Sequence, residues 1–72
     1  MSFYVAKEGN WVSSAIPLTY STDNTQALPL STETSAQTFA DRLITDTGID
    51  HFVCDEAYRS SNPTGGPKRP VL

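Results

Sequence analysis

The chain has 72 residues, with eight carboxylates against five lysines and arginines, a net charge of −3, one cysteine and one histidine. That length allows a single small core. A lone cysteine excludes an internal disulfide frame, one Cys and one His are too few for a structural zinc site, and no run reaches the roughly 20 apolar residues of a membrane-spanning helix.

The charge is unevenly placed. All eight acids lie in residues 1–59 beside only Lys7, Arg42 and Arg59, while the last thirteen residues carry Lys68 and Arg69 alone. An acidic body repels phosphate backbones, so nucleic acid is a disfavoured partner. No basic segment followed by an apolar run stands near Met1, which predicts no signal peptide and a place in the cytoplasm of a host cell or within a virion.

In chain order, "SFYVAKEGNWVSSAI" predicts a β-hairpin: Phe3–Ala6 is aromatic and β-branched, "KEGN" supplies the turn, and Trp11-Val12 opens the return strand. Pro17 interrupts that strand, and "LTYS" reads as its short extension. Residues 21–26, "STDNTQ", form a polar loop, after which Leu28 and Leu30 turn back to the core.

Ala36, Phe39, Ala40, Leu43 and Ile44 are spaced as one apolar stripe of a helix, predicted over 33–46. Ser31 or Thr32 can cap its start, Glu33 complements its dipole, and Gly48 suits the left-handed position after its last turn. "HFVCDEAYR", residues 51–59, reads as a closing strand, with Phe52, Cys54, Glu56 and Tyr58 on one face and His51, Val53, Asp55 and Ala57 on the other. The first face is expected under the helix, and Phe3, Phe39 and Phe52 are expected as a core trio. From Ser60 the chain is rich in Pro and Gly and is expected to be an extended tail. The result is a compact α+β domain over 1–59, a small two-layer ββαβ sandwich on an antiparallel sheet, with a tail over 60–72.

Few residues point to catalysis. Alternation puts His51 and Cys54 on opposite faces, and Asp55 and Glu56 would raise rather than lower a thiol pKa. The expectation is therefore a buried Cys54 and a solvated His51. Asp55 and Glu56 diverge in the same way, so they do not form a paired-carboxylate site, and Asp50, His51 and Asp55 are a poor metal set. "NPTGGPK" lacks the spacing and the following helix of a phosphate-binding loop. No cofactor is expected.

The aromatic residues are the better lead. Tyr and Trp left partly exposed favour interfaces, which singles out Tyr4, Trp11, Tyr20 and Tyr58, with covering the sheet's second face as the plain alternative. Pro63, Pro67, Lys68, Arg69 and Pro70 would let the tail lie along a neighbour in extended form. The "G-x-W" at Gly9-Asn10-Trp11 and the "T-E-x-x-A" over Thr32–Ala36 resemble the outline of small bacterial and phage ββαβ proteins. The resemblance implies a compact accessory protein and transfers no active site.

The leading expectation is a non-catalytic interaction protein, a phage or mobile-element accessory subunit such as a virion component, using its C-terminal arm on protein partners or on copies of itself. The alternatives are an acidic inhibitor presenting Asp41, Asp46, Asp50, Asp55 and Glu56 as a nucleic-acid mimic and, last, a small thiol enzyme.

Overall fold

A computed structural model describes residues 2–61 and Pro67. It contains β1 (Phe3–Lys7), β2 (Asn10–Ala15), β3 (Leu18–Ser21), a 3-10 turn (Asn24–Gln26), α1 (Glu33–Thr47), β4 (His51–Asp55) and α2 (Glu56–Ser61). The strands form one antiparallel sheet in the order β3-β2-β1-β4, with α1 across one face. The α+β sandwich expected from the sequence is thus present, with an additional strand and an additional short helix.

The first hairpin turns where "KEGN" predicts. Gly9 takes φ +85°, and Ala6 and Lys7 pair with Trp11 and Asn10. Beyond that, β1 and β2 part. Leu30 takes the place beside Phe3, the two exchanging both backbone hydrogen bonds at 2.8 Å, and the Leu28 N–H donates to the Val12 carbonyl at 2.9 Å. Residues 28–30 therefore act as a wedge between the strands. Pro29, which has no N–H, falls between these two bonding positions and interrupts neither.

On its other side β2 pairs with β3 from Trp11 to Ala15, with a register shift between Val12 and Ser14. "LTYS" is not an extension of the second strand. Pro17, following a cis peptide bond from Ile16, sits in a tight turn that folds Leu18–Ser21 back as a strand of its own.

Helix α1 begins and ends on the residues that the sequence supplies. Thr32 Oγ1 accepts from the Ser35 N–H at 3.0 Å, and Gly48 takes φ +71° while its N–H donates to the Ile44 carbonyl at 2.9 Å. Ala36 and Ala40 are fully buried, and their small side chains let the helix approach Val5, Val12 and Val53 closely.

The face of β4 under the helix is the opposite of the one expected. Val5 pairs with Val53 and Tyr4 with Cys54, so Phe52 and Cys54 share the far face with Tyr4, Ala6, Trp11 and Ala27. Each face of β4 carries apolar side chains, Phe52 and Cys54 on one and Val53 on the other, and alternation alone does not say which one a helix covers. The alanine-rich stripe of α1 leaves room for valines, whereas the larger Tyr4, Trp11 and Phe52 rings need the space on the other side. Phe3, Phe39 and Phe52 are consequently not a trio. The first two lie half-buried in the helix-side cluster, and Phe52 belongs to the second core.

The strand also ends earlier than the alternation predicts. Asp55 Oδ1 accepts from the Tyr58 N–H at 2.7 Å and so caps α2. Ser60 and Ser61, expected as the start of the tail, are the last residues of that helix.

Candidate interaction surface

Four aromatic residues and five tail residues are the positions that the sequence nominates for a partner. Tyr4 and Trp11 are interior residues, because β1 and β2 turn them onto the far face, where the 3-10 segment and α2 cover them. They contribute no exposed surface. Trp11 meets Tyr4 edge-on at 6.4 Å and Tyr58 at 6.3 Å between ring centroids. Its Nε1 is buried with no hydrogen-bond partner among the described residues.

Above this core lies a polar lock. The Tyr4 hydroxyl donates to Glu56 Oε2, and Arg59 donates to both Glu56 oxygens, at 3.1 Å from Nε and 2.8 Å from Nη2. Arg59 Nη1 donates to the Asn24 carbonyl at 3.1 Å, and Asn24 Nδ2 returns a bond to the Arg59 carbonyl at 2.9 Å. The guanidinium also stands 5.0 Å from the Tyr4 ring centre. Donation from Arg59 and then from Tyr4 holds the Glu56 carboxyl at a pKa of about 2. Burial and the Glu56 bond push the Tyr4 phenol up. The arrangement ties α2 and the 3-10 turn to β1.

His51, expected to be solvated, is buried. Its Nδ1 lies 2.8 Å from the Ile49 carbonyl, which can only accept, so Nδ1 carries the proton in the neutral ring. Nε2 is then the acceptor for the Tyr20 hydroxyl, also at 2.8 Å. Lys7 Nζ lies 4.2 Å from the centre of the Tyr20 ring. Tyr20 thus spends its hydroxyl and one ring face inside the molecule and is half-buried.

Cys54 is separated from His51 by the sheet, as alternation predicts. Burial first, and the Asp55 charge second, push its thiol up to about 12. Among the described residues, no three His, Cys, Asp or Glu side chains come together as metal ligands, and no helix is long and apolar enough to cross a membrane.

Of the five acids read as a phosphate mimic, Asp41, Asp46, Asp50 and Asp55 are exposed and Glu56 is half-buried. Glu56 is held by Arg59, Asp46 lies 3.7 Å from Arg42, Asp41 accepts from Gln37 at 2.9 Å and Asp55 caps α2. Of the tail positions, Pro63, Lys68, Arg69 and Pro70 lie outside the described residues. Pro67 is fully buried, and its carbonyl accepts from the Gly9 N–H at 2.8 Å, so this residue docks on its own chain.

The surface that stands out is one the sequence reading passed over. Beyond Val12, the β2–β3 hairpin leaves the helix behind and carries Ile16, 94% exposed, and Leu18, 36% exposed, around Pro17. No charged residue occurs between Glu8 and Asp23. The exposed rungs are Ser, Thr and Ala, and Ser13 and Thr19 hydroxyls meet at 2.7 Å across the strands. The signal is legible as a charge-free run containing "IPL". No protein-family model, curated protein or solved structure matches this chain.

Proposed function

We propose that the chain is a non-catalytic interaction protein, an accessory subunit of a larger protein assembly of the kind a virion represents, and that it docks through the β2–β3 hairpin. The exposure of Ile16 at the tip of a charge-free hairpin carries this reading. Isolated exposed apolar residues are ordinary, but Ile16, Pro17 and Leu18 adjoin one another on a projecting element. The polar clusters of the described residues support it from the other side: each one holds secondary structure together rather than lining a cleft.

The test is affinity purification of the tagged full chain from its native source beside the Ile16→Asp/Leu18→Asp variant. A stoichiometric protein partner retained by the first and lost by the second is the expected result. A partner held equally by both would move the docking site elsewhere, and a wild-type chain that purifies alone and monomeric would refute the reading.

A further inference from the structure

Resting on that reading, we infer that the hairpin's partner is a second copy of this chain, joined to the first by antiparallel pairing of β3 with β3 about a two-fold axis. Strand β3 is an edge of the sheet, and beyond Val12 the hairpin is a two-stranded ribbon with exposed residues on both strands. Two strands alone are marginal in water, and a third completes them.

The two edges of the sheet are built differently. Strand β4 is bracketed by Asp50 and Asp55, and charges of this kind deter strand addition. Strand β3, "LTYS", has no charge, no proline and no irregularity on its own backbone. Every second residue of such an edge turns its N–H and C=O outward, a template for another strand.

Charge selects the second copy as the occupant. Two molecules of net charge −3 repel wherever their carboxylates face each other, and the stretch between Glu8 and Asp23 is where they can approach without that penalty. A two-fold operation also satisfies both edges in one contact, because the surface is its own complement. With the axis at Thr19 or at Tyr20, Thr19 of one copy lies opposite Thr19 or Ser21 of the other, since paired residues must share a face, and Leu18 loses solvent contact. The product is a continuous eight-stranded sheet.

The experiment follows from the position of Thr19, which is exposed and leaves the two cores untouched. Sedimentation of the full chain over a concentration series should show a monomer–dimer equilibrium. Thr19→Glu and Thr19→Lys should each weaken the dimer roughly tenfold or more, since like charges then meet across the axis. Mixing the two variants should restore a dimer, now a heterodimer by native mass spectrometry, which shows that neither variant is misfolded. A wild type that stays monomeric throughout, a dimer indifferent to both substitutions, or a mixture that stays monomeric overturns the inference. A monomeric wild type that still captures a protein through Ile16 overturns the dimer alone. A monomeric wild type with no partner overturns both.

Discussion

Replacing Phe52 and Phe39 by alanine, one at a time, tests the assignment of the sheet's two faces. Phe52 is 5% exposed among Tyr4, Ala6, Trp11, Ala27 and Cys54, and Phe39 is half-buried on the flank of α1. Truncating a fully buried phenylalanine costs about 3–5 kcal/mol, the sum of lost transfer energy and the cavity left behind. A half-exposed ring already contacts water and leaves a surface notch rather than a cavity, so Phe39→Ala should cost about 1–2 kcal/mol. A domain of this length has a total stability of about 4–11 kcal/mol. Phe52→Ala should therefore remove a large share of it, and Phe39→Ala a modest one. Urea unfolding followed by far-ultraviolet circular dichroism measures both, with the emission of Trp11, the chain's one tryptophan, as a second probe. Equal costs, or a larger cost at Phe39, would refute the placement of Phe52 in a second core away from the helix.

Cys54 should resist alkylation by iodoacetamide at pH 8 in the folded protein and react at once in urea, since its thiol is buried with a pKa of about 12. Glu56 has a folded pKa of about 2, below its unfolded value, so its contribution is complete above the ordinary carboxylate range and is lost as pH falls through about 2. Glu56→Gln should flatten that part of the acid-unfolding curve measured by circular dichroism. Tyr20→Phe removes the hydroxyl donated to His51 Nε2 and should cost about 1 kcal/mol in urea unfolding. Nitrogen NMR of the wild type should show the neutral His51 ring as the Nδ1–H tautomer.

Local signals carried most of the chain to its elements. The stripe from Ala36 to Ile44, the Thr32 cap and Gly48 define α1 to within one residue of its end, because all act within the helix itself. The first hairpin was equally legible in "KEGN". What was not legible depended on distant partners. The face of β4 follows from whether Val53 or the larger Phe52 and Cys54 side fits an alanine-rich helix, and that volume match is a property of packed elements, not of a strand. His51 is buried because Tyr20, 31 positions away, supplies a donor to its second nitrogen. The separation of His51 from Cys54, by contrast, needs only the period of a strand and was correct from the sequence. The candidate surface was half legible. Its lack of charge is written in residues 10–22, but its exposure depends on the wedge at residues 28–30.

That wedge also explains why a small domain leaves isoleucine in water. Leu28 and Leu30 occupy the backbone positions through which β1 would otherwise continue to hold β2. The split sheet gains two chain segments against one edge, and the hairpin beyond Val12 is turned away from both cores. Burying a side chain such as Ile16 is worth roughly 1.5–3 kcal/mol, a substantial fraction of what a domain this size has in total. Among the described residues nothing recovers that energy, since α1 covers the valine face and α2 with the 3-10 turn covers the aromatic one. A contact between molecules can recover it. The same backbone exchange that completes the interior at Phe3 and Leu30 thus creates the exposed edge at Leu18–Ser21, and the core and the proposed docking surface become two consequences of one departure from regular pairing.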